Sequence, residues 1–149
     1  MEKQRVLFLC TGNSARSQMA EALLRDRAGD RFEALSAGLE PGRVHPMTLQ
    51  VLTEEGLPTD GLRSKGVDEF LGKLYIHYVI TVCDDADRHC PRVWPLGGER
   101  LHWSIRDPVG MPGNEAERLQ AFRDTRDELA RRVDEFIAEH GMNGAGPGE

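Results

Sequence analysis

The stretch Val6-Leu7-Phe8-Leu9-Cys10-Thr11-Gly12-Asn13-Ser14-Ala15-Arg16-Ser17 sets an apolar run directly before a thiol, a loop of small residues and a guanidinium. The apolar run reads as a buried strand, and Met19, Leu23 and Leu24 recur at helical steps within residues 15–28. The loop therefore joins a strand to a helix N-terminus. N–H groups there lack intrahelical partners and the helix dipole favours negative charge, so main chain alone can cradle a tetrahedral oxyanion. Thr11, Gly12, Asn13, Ser14, Ala15, Arg16 and Ser17 form the candidate oxyanion-binding loop. Gly12 is expected to supply its permissive backbone. Arg16 adds a planar fork that holds two anion oxygens at once, a geometry lysine lacks. A helix N-terminus and a nearby cation favour the thiolate, so Cys10 reads as an activated nucleophile. Ser17 can donate a hydroxyl hydrogen bond to it, and Asn13 can brace the loop. A cysteine ending a strand is ordinarily a small buried hydrophobe, and it is the Arg16-Ser17 pair at this spacing that turns the reading toward chemistry.

The chain has 149 residues, enough for one domain with a core that needs no staple. Residues 1–140 are expected to form that domain, and the glycine-rich residues 141–149 a floppy tail. No apolar stretch is long enough for a membrane span or a leader, so a cytoplasmic protein without membrane partners is expected. A formal charge of −6 offers no basic surface for nucleic acid, so attraction for anions must be local to the loop. Three cysteines in a reducing compartment suggest chemistry rather than a disulfide framework.

Strand patterns at residues 5–9, 32–36, 75–82 and 101–103 alternate with helical patterns at 15–28, 46–55 and 67–71. This alternation predicts an α/β fold, an open parallel four-stranded sheet flanked by helices. A last helix begins at a capping box of Asn114 and Glu117 and carries Leu119, Phe122, Leu129, Val133, Phe136 and Ile137 on one face. Its charged positions read as a solvated surface, and Gly141 ends it. Ligands of open α/β sheets gather at the carboxyl ends of the strands, where Cys10 sits.

The same rule brings in Cys83, at the carboxyl end of the longest strand-like run. If the first and third strands are neighbours, Cys83 approaches Cys10. The polar segment Asp84-Asp85-Ala86-Asp87-Arg88-His89 then leads to Cys90-Pro91. Seven residues of helix would span roughly 10.5 Å. A disulfide needs Cα atoms within about 7 Å, so Cys83 and Cys90 could pair only if the segment unwound or looped out. A zinc site of Cys83, His89 and Cys90 lacks a fourth ligand at a recognisable spacing, and no metal is expected there. Two unrelated structural cysteines are the default reading in isolation, and placement beside Cys10 favours a redox relay. Asp107, in Arg106-Asp107-Pro108, follows a short strand and can serve as a general acid, although Asp-Pro alone is a common turn start.

Together these residues resemble the low-molecular-weight protein tyrosine phosphatase superfamily and, within it, the thioredoxin-coupled arsenate reductases. The resemblance runs from the Cys10–Ser17 loop and Gln18-Met19-Ala20-Glu21-Ala22 through Ser36-Ala37-Gly38 and Val82-Cys83-Asp84-Asp85-Ala86-Asp87. It continues in Cys90-Pro91, His102-Trp103 and Asp107-Pro108. It implies that arsenate, for which phosphate and sulfate are analogues, binds the loop and is attacked by Cys10 while Asp107 protonates the departing water. It further implies that Cys83 attacks Cys10, releasing arsenite for detoxification. Cys90 then attacks Cys83, leaving a Cys83–Cys90 disulfide for thioredoxin. It implies a monomer with no tightly bound cofactor.

Two departures from the resemblance matter. Val109-Gly110-Met111-Pro112 follows Asp107-Pro108 where phosphatases of this group carry paired tyrosines, which argues against a phosphotyrosine substrate. Some reductases bind potassium near the loop, and Asn13, Glu21 and Ser36 resemble parts of that weak site. Lys65 stands where a further contributor is expected and brings a cation that competes with the metal. A small-molecule phosphatase and a non-catalytic thiol redox sensor remain the alternative readings.

Overall fold

The computed structural model describes residues 3–83 and 97–141. Expectations that rest on Cys90, on the segment between the two thiols and on residues 142–149 lie outside the described residues. The chain runs through β1 (Gln4–Cys10), α1 (Arg16–Ala28), β2 (Phe32–Gly38), α2 (Pro46–Glu54), β3 (Ile76–Thr81), β4 (Gly97–His102) and α3 (Glu115–Phe136). The four strands are parallel and lie in the order β2-β1-β3-β4.

Strand β1 is central, and Val6, Leu7, Phe8 and Leu9 are all 0% exposed, so both of its faces are covered. That is why it reads as an unbroken apolar run rather than an alternation. The edge strand β2 instead alternates at its start, with Phe32 and Ala34 buried and Glu33 exposed. Connections leave β1 and β3 toward opposite edges, so the order reverses between these two neighbours. Leu9 lies opposite Thr81, and the Val82 N–H donates to the Leu9 carbonyl at 2.8 Å. Cys10 and Cys83 thus arrive side by side at the carboxyl end of the switch point, the place where such sheets gather ligands.

Helix α3 begins at the expected capping box, Asn114 accepting from the Glu117 N–H while the Glu117 side chain accepts from the Asn114 N–H. Phe122, Leu129, Val133 and Phe136 form its buried face. Its charged positions are not all solvated. Arg126 is 7% exposed and donates to the Val51 carbonyl and to Glu54, which ties α3 to α2. Gly141 does not follow the helix directly, because a π-helical turn, Ile137–Gly141, intervenes.

The helical pattern at residues 67–71 corresponds to one 3₁₀ turn, Val67–Glu69, without a buried residue. Val67, Phe70 and Leu71 still pack against the core, each only partly buried. Strand β4 starts at Gly97, four residues before the apolar pattern at 101–103. A side chain at Gly98 would stand 2.6 Å from the His77 carbonyl and 2.8 Å from the Tyr75 hydroxyl, so here glycine marks a close strand approach rather than a turn.

Candidate active site

The loop between β1 and α1 is held from outside by its carbonyls. The Cys10 carbonyl accepts from the Leu39 N–H, Thr11 from Glu40 and Gly12 from Gly42. Gly12 also accepts from the Ser64 hydroxyl, and Ser14 accepts from the His45 N–H and the Thr48 hydroxyl. Ala15 accepts from the Met19 N–H as the helix begins. The N–H and C=O of a trans peptide point in opposite directions, so a loop with its carbonyls pinned outward turns its N–H groups inward. A concavity of ≈190 Å³ results, lined by Cys10, Thr11, Gly12, Ser14, Ala15, Arg16, Asp107 and Val109. No side chain caps the start of α1, where Ala15 occupies the cap position, so its first N–H groups are available to an anion.

Asn13 and Ser17, expected among the oxyanion ligands, lie instead beneath the loop at 0% exposure. They act on the thiol. The Asn13 N–H donates to Cys10 Sγ at 3.2 Å, and Ser17 Oγ lies 2.8 Å from the same sulfur. Asn13 Nδ2 donates to Ser17 Oγ at 2.7 Å, which leaves the serine proton free to serve Cys10 when its sulfur is a thiolate. The conformational demand expected at Gly12 falls on Asn13, the only non-glycine residue with positive φ (52°) among the described residues. A side chain at Gly12 would meet nothing closer than 3.8 Å. Asparagine is among the few residues that tolerate the left-handed region.

Arg16 donates through Nη1 to the Ile105 carbonyl at 2.9 Å, with Nη2 3.6 Å from Asp107 Oδ2. The guanidinium is thus aimed across the concavity before any anion enters. Asp107 is held by the Val109 N–H, which donates to Oδ1 at 3.0 Å, a local turn that leaves the second oxygen facing the site. Cys83, 3% exposed, lies with its sulfur 3.6 Å from Thr11 Oγ1. It shares a larger cleft with Thr11, Arg16, Ser104, Ile105, Arg106, Asp107 and Glu128. His45 caps α2 by accepting from the Met47 N–H and stacks on Phe122. Burial, and next the Arg118 cation, push His45 below the ordinary histidine range, with Asp107 opposing them.

Glu21 and Ser36, two of the three residues resembling a potassium site, already hold a cation. Lys65 Nζ lies 3.5 Å from Glu21 Oε1 and 3.3 Å from Ser36 Oγ, and donates to the Arg63 carbonyl at 2.8 Å. Asn13 Oδ1, the third, accepts from Gln18 Nε2 and from the Lys65 N–H. This donor set does not fit a metal ion. Burial pulls the Lys65 ammonium below the ordinary lysine range, and the Glu21 carboxylate works against that. No group of three or more His, Cys, Asp or Glu side chains suited to a metal occurs among the described residues, and none of their helices is long and apolar enough to cross a membrane.

Two residues that support the loop escaped the residue-by-residue reading. Gly38 ends β2 so close to the loop that a side chain would stand 2.7 Å from the Thr11 carbonyl and 2.8 Å from the Asn13 nitrogen. Gln18 is a polar residue buried at 0% exposure in the first turn of α1. Nothing local marks Gln18 in the sequence, because Arg16, Ser17 and Glu21 around it are polar too.

Comparison with known proteins agrees with this geometry. The profile of the low molecular weight phosphotyrosine protein phosphatase family matches residues 5–143. An arsenate reductase of Halalkalibacterium halodurans is 39% identical over 137 residues, covering 91% of this chain and 96% of that protein. A solved arsenate reductase in the phosphate binding state superimposes with a TM-score of 0.77 at 30% identity, covering 91% of this chain and 98% of that one. A thioredoxin-dependent arsenate reductase of Corynebacterium glutamicum superimposes with a TM-score of 0.62 at 30% identity, covering 89% of this chain and 62% of that one. With a pinned loop around a buried thiol and a family match across nearly its whole length, the chain belongs to the low molecular weight phosphotyrosine protein phosphatase family.

Proposed function

We propose that this chain reduces arsenate to arsenite, with Cys10 attacking arsenic in the loop and Cys83 and Cys90 carrying the oxidation away. One observation carries the reading: Cys10 and Cys83 are both buried at the carboxyl ends of adjacent strands, beside a concavity bordered by Arg16 and Asp107. The arsenate reductases similar over most of the chain support the substrate. The thioredoxin-dependent neighbour supports thioredoxin as the donor.

The chemistry balances as follows. Cys10 Sγ bonds to arsenic while one oxygen leaves as water, Asp107 giving the proton. The Cys83 thiolate attacks Cys10 Sγ, and the sulfur–arsenic bond breaks with its electron pair on arsenic, which leaves as arsenite. Arsenic gains two electrons, and the two sulfurs lose them as a Cys10–Cys83 disulfide. Cys90 then attacks Cys83, which frees Cys10 and leaves a Cys83–Cys90 disulfide for thioredoxin to reduce.

Arsenite formation with thioredoxin, thioredoxin reductase and NADPH tests the sequence of steps. Wild-type protein should turn over repeatedly, Cys83→Ser should release no arsenite, and Cys90→Ser should stop after a single equivalent. Arg16 and Asp107 across the concavity also suit phosphoryl transfer, so the second reading is a phosphatase acting on small phosphate esters. Hydrolysis of a small aryl phosphate that is indifferent to both cysteine substitutions, with no arsenite formed, would establish it in place of the first. Thiol oxidation without any oxyanion dependence would instead favour a redox sensor.

Lys65 takes the part of a potassium ion in this reading. Turnover is expected to be equal in potassium, sodium and choline chloride at matched ionic strength. Lys65→Ala should destabilise the fold by less than the roughly 3–5 kcal/mol of a fully uncompensated buried charge, because Arg25 still pairs with Glu21. Stimulation of the wild type by potassium alone would contradict this.

A further inference from the structure

The outward pinning of the loop has one position without a main-chain partner from the neighbouring strand and loop. The carbonyls of Cys10, Thr11, Gly12 and Ser14 accept from the N–H groups of Leu39, Glu40, Gly42 and His45, but the Asn13 carbonyl accepts from a side chain, Gln18 Nε2, at 3.1 Å. The same nitrogen lies 2.9 Å from Asn13 Oδ1 and 2.8 Å from the Arg63 carbonyl. Three acceptors therefore converge on one amide group, which fixes its orientation. The cost is visible: Gln18 Oε1 is buried with no hydrogen-bond partner among the described residues. A buried acceptor left unpaired costs roughly 1–3 kcal/mol, so the arrangement needs a return elsewhere.

We infer that Gln18 is a positioning residue for Cys10, acting through Asn13 on both the thiolate and the bound oxyanion. Its hold on Asn13 Oδ1, shared with the Lys65 N–H, turns Asn13 Nδ2 toward Ser17, which occupies one serine lone pair and leaves the hydroxyl proton free to be donated to Cys10 Sγ when that sulfur is a thiolate. Its hold on the Asn13 carbonyl keeps that peptide turned outward at a strained positive φ, and the N–H of the next residue, Ser14, inward toward the concavity. One side chain thus sets the direction of a hydrogen-bond chain to the nucleophile and the aim of one oxyanion donor. The inference rests on Cys10 being the nucleophile of the proposed reaction, but not on which oxyanion it attacks.

The test uses two near-isosteric substitutions in the full chain, read without any reductant or arsenate. Gln18→Met removes the donors and keeps the volume, while Gln18→Glu presents a carboxylate to three acceptors. The charged groups that line the concavity with Cys10, namely Arg16 and Asp107, are untouched by either substitution. At neutral pH the rate of Cys10 alkylation by iodoacetamide should fall about tenfold in Gln18→Met, the effect of losing one hydrogen bond to a charged group. The alkylation profile should move to higher pH, and binding of inorganic phosphate should weaken by a similar factor, about tenfold. Gln18→Glu should lose more. A common Cys83→Ser, Cys90→Ser background leaves Cys10 as the one cysteine of the chain, so that alkylation reads Cys10 alone. A folded Gln18→Met with wild-type alkylation and phosphate binding would overturn the inference. Should neither variant fold, the side-chain amide resonances of Gln18 in the wild type decide the matter. They must shift as Cys10 ionises and as phosphate binds, and resonances indifferent to both would overturn it equally. Because neither reading requires arsenate turnover, loss of this inference and loss of the arsenate reading are separable.

Discussion

Arg16→Lys should lower kcat/KM for arsenate by about 10²–10³-fold while leaving the melting temperature and far-ultraviolet dichroism close to wild type. Lysine retains the charge, so the effect isolates geometry. The guanidinium spans the Ile105 carbonyl and Asp107 with separate nitrogens at the mouth of the concavity. A planar fork held at that place can grip two oxygens of an arriving anion, whereas an ammonium offers a single mobile point of charge. Most of the loss is expected in kcat, because the fork is best matched to the charge that accumulates on the oxyanion as Cys10 attacks. Steady-state kinetics of arsenite formation would check this, and a loss confined to KM would show that Arg16 does no more than gather the substrate.

Gly38→Ala should disturb the anion loop through a single added methyl group. The added carbon would stand 2.7 Å from the Thr11 carbonyl, 2.8 Å from the Asn13 nitrogen and 3.0 Å from Asn13 Cβ. All three belong to the loop, and two are main chain that cannot rotate away. Either β2 moves, which breaks the Gly38 N–H bond to the Lys65 carbonyl, or the loop moves, which disturbs the Asn13 N–H bond to Cys10 Sγ. Overpacking of this kind costs typically about 1–3 kcal/mol, measurable as a lowered urea midpoint at unchanged slope. Activity should fall further than stability, since small misplacements at a reacting centre are amplified in the rate. Normal turnover in Gly38→Ala would mean that the loop geometry tolerates displacement and that its pinned carbonyls do not set the aim of its donors.

Much of this protein was legible along the chain. The unbroken apolar run of residues 6–9 announced a strand covered on both faces, and the thiol, small residues and arginine after it announced an anion loop entering a helix. The capping box at Asn114 and Glu117 announced the start of the last helix. These signals are local, carried by periodicity, by the chemistry of neighbouring residues and by capping, and so they survive without coordinates. The adjacency of Cys10 and Cys83 was available only as a condition, that the first and third strands be neighbours. Strand order is a property of the whole sheet, and the β2-β1-β3-β4 arrangement met the condition.

What the sequence by itself determined is the fold class and the chemical make-up of the loop: a thiol at a strand end, small residues, a guanidinium and a neighbouring hydroxyl. Only the tertiary structure decided how the loop is held. Asn13 rather than Gly12 takes the left-handed backbone, the Asn13 N–H is spent on the sulfur, and Gly38 and Gln18 press against the loop from separate elements. The reason is physical. A buried polar group must find partners, and those partners are chosen by which segments the core brings within about 3 Å, a distance that residue order does not encode. Gln18 looks like an ordinary polar residue until packing removes its water, and it is the removal of that water that commits it to the site.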